Sequence, residues 1–228
     1  MWRDDRDDAV VPSEHGAVSR SVRAVAGLEE RYRALVHELL RIDDPAERLF
    51  GSVAIREGYE VGERGGQSLH RIGCVLQLTE VQSHDDGTFD IVAVGRGRLR
   101  LEALQTTGEF LAGEVALLDD PDDAPDPANE TISELARTTF DNYRDVLSSI
   151  RGEQVLTGDL PHDPAYLSWS LAGTCLLTLR DRQLLLEAEP TTLRLAMLID
   201  LMREEIAAMT VLPSLPATEV ARTGWSPN

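Results

Sequence analysis

Residues 119–130 read DDPDDAPDPANE, with six acids, three prolines and no basic residue. Like charges repel along such a stretch, and proline holds it extended, so it predicts a linker rather than packed structure. The patterns on its two sides differ. Ahead of it, after one helical stripe, apolar residues come in short runs and alternations bounded by turn signals, the marks of strands. Behind it they recur at helical spacing. Strands and helices segregated in this way predict an α+β chain, not a βαβ alternation with a parallel sheet.

The first half opens with residues 1–27, which show neither period and are expected to be irregular. Leu28, Tyr32, Leu35, Val36, Leu39 and Leu40 then form one apolar stripe of a helix that Asp44-Pro45 stops. Ser52–Ile55 and His70–Val81 read as strands. Asp85-Asp86-Gly87 predicts a hairpin turn, with Phe89–Val94 as the return strand. Gly95-Arg96-Gly97 predicts a bulge or tight bend, followed by strands at Leu99–Leu104 and Leu111–Leu118. In this reading Arg96, Arg98 and Arg100 alternate along one outward face, a solvated comb able to meet carboxylates.

In the second half, Thr131-Ile132-Ser133-Glu134 has the form of a capping box. Its helix carries a stripe of Ile132, Leu135, Ala136, Phe140, Tyr143, Val146, Leu147 and Ile150. Asp163-Pro164 predicts the next helix start, with Ala165, Trp169, Leu171 and Ala172 on its stripe. Thr178 to Asp181 repeats the capping pattern before Gln183–Glu187. Leu195, Leu198, Ile199, Met202, Ile206 and Met209 mark a long last helix. Residues 131–210 are thus expected to form a helical bundle, and 211–228 a flexible tail.

Charge narrows the function. The 22 basic residues are all arginine, against 40 acids, for a net charge of -18. A phosphate-binding loop of the GxxxxGK[ST] kind and a Ser–Lys dyad both need lysine, and this chain has none. The acidity weighs against nucleic acid, whose binders gain affinity by neutralising phosphates. The charged N-terminus is unlike a signal peptide, and no apolar run is long enough for a membrane span, so a soluble cytoplasmic chain without a membrane partner is expected. His15, His37, His70, His84 and His162 lack metal-ligand spacing and read as solvated side chains. Cys74 and Cys175 sit in apolar runs and read as buried free thiols. The acidic segment lacks the spacing of a calcium loop. No cofactor and no metal are expected.

The blocks LEERYRALVHELL, FGSVAI, LHRIGCVLQLTEV, DGTFDIVAVGRGRLRL and FLAGEV, in this order and spacing, resemble the N-terminal substrate-binding domain of the Lon protease family. DPAYLSWSLAG, DRQLLLEAE and PSLP are similar to the helical bundle that follows it. The resemblance covers residues 28–216. It implies a PUA-like β barrel carrying one amphipathic helix over 28–118, then a helical bundle, and a role in holding substrate polypeptides. It is the resemblance of a stand-alone member, without the ATPase and protease domains of the full protease.

Residues 9–27 depart from the family pattern. An apolar strand, a V-L-F-P-G turn and an L-P-L-x-x-F-E-x-R-Y helix entry are absent, and the match resumes only at Leu28. The hypothesis we carry forward is a pair of compensating frameshifts, since codons for Ser13–Arg20 exist whose next frame reads Ala-Asn-Thr-Val-Leu-Phe-Pro-Gly. Whatever its origin, a polar replacement for a barrel strand leaves neighbouring strands with an unprotected edge.

The expected function is therefore non-enzymatic recognition of unfolded or client polypeptides, with a separate ATPase or protease as a further partner. Apolar contact in a groove or strand addition at a sheet edge would supply the affinity. An RNA-binding or scaffold role, by analogy with other PUA-like barrels, is the alternative. The residues singled out for substrate binding are Glu30, Arg31, Tyr32 and Arg33 at the helix start, with Arg96 and Arg98 on the strand face. No catalytic residue is expected.

Overall fold

The computed structural model describes residues 29–56, 69–118 and 127–211. The chain separates into two compact units, residues 1–119 and 120–228. The expectations for residues 1–27 and for the tail beyond Val211 lie outside the described residues.

The first unit holds helix α1 (Glu29–Leu40), a short 3-10 turn (Pro45–Glu47) and strands β1 (Leu49–Ser52), β2 (Ile72–Ser83), β3 (Phe89–Gln105) and β4 (Ala112–Leu118). The strands form one antiparallel sheet in the order β1-β2-β3-β4. Each strand follows its neighbour in sequence, so the topology is a meander. Asp44 caps the 3-10 turn by accepting from the Ala46 N–H at 2.8 Å. Asp86 closes the β2–β3 hairpin by accepting from the Thr88 amide at 3.0 Å and hydroxyl at 2.6 Å. Gly87 there takes φ +80°, which a side chain would strain.

The stripe of α1 is buried at Tyr32, Val36 and Leu39. Leu35, expected in the core, is only half-buried, and Leu40 is exposed. A helix resting on a sheet by one narrow line buries i, i+4 and i+7 and leaves the shoulders out. His37 is exposed but stands edge-on to Phe89, with ring centres 5.3 Å apart. The Phe89 ring thus joins α1 to the start of β3.

Where two strands and a break were expected between Phe89 and Leu104, β3 runs unbroken for 17 residues. Bulges let it bend. Val75 faces Gly97 and Leu76 faces Gly95, so Arg96 is an extra residue. Thr79 and Glu102 are the extra residues at two further register shifts. The glycines about Arg96 mark a bulge, as expected, without ending the strand.

The second unit contains α2 (Pro127–Arg151), α3 (Pro164–Thr174), α4 (Leu179–Glu187) and α5 (Thr191–Val211). Helix α2 begins at Pro127, inside the segment expected to be linker, and Thr131 does not cap it. Proline in the first turn gives up only an N–H that has no intrahelical partner. The buried line of α2 is Asn129, Ser133, Ala136, Phe140, Tyr143 and Leu147, spaced by fours and threes. Leu135, expected on that line, is 43% exposed. The predicted caps of α3 and α4 are present. Asp163 accepts from the Tyr166 N–H at 3.0 Å, and Thr178 accepts from the Asp181 N–H at 3.2 Å. That cap starts α4 at Leu179, four residues before the expected Gln183.

Helices α2 and α5 pack along each other, and α3 lies against both. Their shared core includes Phe140, Tyr143, Leu167, Leu171, Leu195, Leu198, Ile199 and Met202. The Tyr143 hydroxyl accepts from the Leu176 amide at 3.2 Å inside that core. Arg137 donates to the carbonyls of Leu160, Pro161 and His162, holding the segment before α3 onto α2.

Candidate functional site

The six residues expected to bind substrate do not form one cluster. Glu30 and Arg31 are exposed on α1, whereas Tyr32 is buried at 8% exposure. Arg33 is half-buried, and one of its terminal nitrogens lies 3.6 Å from the place where a Cβ on Gly87 would stand. The helix start is thereby placed at the turn end of the β2–β3 hairpin. Arg96 comes seven residues after Phe89 along β3, about 20 Å of extended chain.

Arg96 is exposed, and its Nε donates to Gln77 Oε1 at 2.6 Å. Gln77 in turn donates to the Pro45 carbonyl at 2.8 Å. This relay fastens the bulge to the 3-10 turn. Arg98 is not part of an outward comb, because only 3% of it is exposed. The extra residue at Arg96 reverses the alternation, so Arg98 pairs with Cys74 and projects on the face that buries Cys74 and Leu76. Arg100 is exposed and pairs with Glu102 at 2.8 Å.

Burial pushes the Cys74 thiol up to about 12 despite the opposing charge of Arg98, and burial does the same to Cys175. Neither is a thiolate at neutral pH. His84, expected to be solvated, meets Asp90 Oδ2 at 2.8 Å across the hairpin end. Among the described residues, no group of three His, Cys, Asp or Glu side chains is placed to hold a metal ion. No described helix is long and apolar enough to cross a membrane.

The most exposed apolar surface of the sheet lies on β4, which the sequence reading treated only as a strand. Val115 is 45% exposed and Leu117 is 71% exposed. They stand opposite Leu101 and Leu99 of β3, which are buried. Two residues apart, Val115 and Leu117 project to one face. Gly113 completes the arrangement: a Cβ there would come within 2.8 Å of Leu101 Cδ1. The sequence signal was Val115-Ala116-Leu117-Leu118, an apolar run lacking the polar alternation of a strand with one wet face. A second feature, in the helical unit, is a concavity of about 740 Å³ lined by Arg144, Asp145, Ser148 and the Gly152–Gly158 loop.

A helix with a four-stranded antiparallel meander in one unit, and four helices in the other, define an α+β protein. Residues 25–204 match the model of the ATP-dependent protease La (LON) substrate-binding domain, and the chain belongs to that family. The Lon protease of Escherichia coli K12 is 28% identical over 149 residues, 65% of this chain and 19% of that protein. The Lon protease of Erwinia amylovora is 26% identical over the same length. The chain thus matches about a fifth of these relatives' length. Among solved structures, the Lon N-terminal domain protein from Xanthomonas campestris superposes with a TM-score of 0.54 at 20% identity, covering 84% of this chain and 92% of that one. The N-terminal domain of Mycobacterium avium complex Lon protease gives 0.55 at 18%, covering 86% and 94%. At these identities the likeness is one of fold.

Proposed function

We propose that this chain is a non-enzymatic substrate-recognition module that binds unfolded or client polypeptides in a bacterial cytoplasm and delivers them to a separate ATPase or protease. The observation that carries this reading is the family match over residues 25–204, which reaches only the substrate-binding domain. The absence of lysine supports the non-enzymatic part, since a P-loop and a Ser–Lys dyad both need it. We take the four-stranded sheet as the described part of a PUA-like barrel, and α2–α5 as a helical bundle. Glu30, Arg31, Arg33 and Arg96 are the accessible members of the proposed contact set. Tyr32 and Arg98 serve it from within the core.

The net charge of -18 favours polypeptide over RNA as the ligand. Titration of a fluorescent unfolded protein against the purified chain tests the proposal. Binding at tens of micromolar in low salt, weakening as the Debye length falls from about 10 Å at 0.1 M to about 3 Å at 1 M, is expected. Absence of binding would remove the recognition reading, and cleavage of the protein or hydrolysis of ATP by the chain alone would remove the non-enzymatic one. Retention of RNA on a filter at physiological salt would favour the alternative.

A further inference from the structure

We propose that, apart from the contact set at the start of α1 and Arg96, the outer edge of β4 holds a stretch of the client as an added antiparallel or parallel strand with apolar residues at alternate positions and Lys or Arg at its ends. This rests on the polypeptide-binding reading and gives it a place and a ligand chemistry.

Three observations converge on the edge. Strand β4 is last in the sheet order, and among the described residues it pairs only with β3. Alternate N–H and C=O groups of such a strand point away from its neighbour and can bond another chain. Next, Val115 and Leu117 extend the buried apolar row of Leu99 and Leu101 out to the rim. A strand laid beside β4 would set its own alternate side chains against these two and remove them from water.

The third observation is charge, and it selects the occupant. Between Leu101 and Glu130 the chain carries nine acids and no basic residue. Glu102, Glu109 and Glu114 are exposed along this stretch, and Asp119 follows β4 directly. An apolar strand with basic ends complements that field. A second copy does not, since it would bring a second set of these exposed glutamates to the same edge.

The probe is a fluorescein-labelled peptide, KKVTVTVTVKK, carrying a photoreactive group and titrated against the full chain by anisotropy. Crosslinks are expected within residues 112–118. Replacing the central threonine of the peptide by proline removes an N–H from the ladder and should weaken binding about tenfold, as should exchanging its lysines for glutamates. Leu117→Asp should weaken binding by a similar factor while leaving the melting temperature unchanged, because Leu117 is exposed in the native fold.

The unfolded-protein titration separates the two readings. If the unfolded protein and the peptide bind the native and Leu117→Asp chains equally, the edge is not the site and polypeptide binding stands without it. If neither binds the native chain, both readings fall. Crosslinks from β4 to a second copy, or to residues 1–28 of the same chain, would overturn the proposal, since the edge would then have another occupant.

Discussion

The guanidinium carbon of Arg194 lies 3.6 Å from the centre of the Trp169 ring, inside the helical unit. Arg194 is fully buried. Its Nε donates to Ser168 Oγ at 2.8 Å, one terminal nitrogen to the Ala188 carbonyl at 2.9 Å, and the other to Thr191 Oγ1 at 3.4 Å. One planar fork therefore joins α3, the C-terminal cap of α4 and the first turn of α5. Ring stacking and several donors in fixed directions suit arginine and not lysine. We predict that Arg194→Lys destabilises the helical unit by about 2 kcal/mol, through lost hydrogen bonds to a charged donor. Arg194→Ala should cost about 3 kcal/mol or more, because a cavity is added to the orphaned acceptors. Urea denaturation followed by far-UV circular dichroism measures both, and equal stability of the three chains would show that the stack is incidental.

On α1 the cost of truncation should follow observed burial rather than the apolar stripe. Leu39 is 5% exposed, whereas Leu35 is half-buried. Leu39→Ala is expected to cost about 2–5 kcal/mol and Leu35→Ala clearly less, since a partly wet site leaves less of a cavity. Denaturation midpoints in the reverse order would mean that the helix is rotated.

Glu205 supplies a pH test. Burial raises its carboxyl above the usual range, and the neighbouring charges of Asp181 and Glu204 raise it further. A carboxyl whose folded-state pKa exceeds its unfolded value opposes folding once it ionises. Its favourable contribution is full below the unfolded pKa and is lost as pH rises through the folded one. Glu205→Gln should therefore raise the melting temperature at neutral pH, with the gain shrinking to nothing in acid. A gain that grows as pH falls would contradict the burial of this group.

For residues 9–27, the coding DNA is the test. Read one base forward across Ser13–Arg20, it should encode V-L-F-P-G. A sequence whose shifted frame encodes anything else would show that the polar segment arose in another way.

Much of the plan was legible before any coordinates. Period-2 and period-3.6 patterns reflect local geometry, so a strand-bearing half followed by a helical half was legible from spacing alone. The caps at Asp163 and Thr178 were too, because a cap is a bond between residues three apart. The start of α2 was misread because Pro127 suits a first turn as well as a linker, and local chemistry does not choose between them.

What the sequence could not determine depends on residues far apart in the chain. One extra residue at Arg96, visible only against Val75 and Leu76, turns Arg98 from a solvent-facing arginine into a buried one. No local pattern marks Arg194, which Trp169, Ser168 and the Ala188 carbonyl surround only when the helices pack. Leu117 reads only as part of a strand until the strand order leaves β4 at the rim of the described sheet. Propensity and periodicity are properties of near neighbours, whereas register, burial of charge and edge position arise only when separate segments pack. The sequence by itself determined the elements and their order, and tertiary packing decided which side chains the surface keeps.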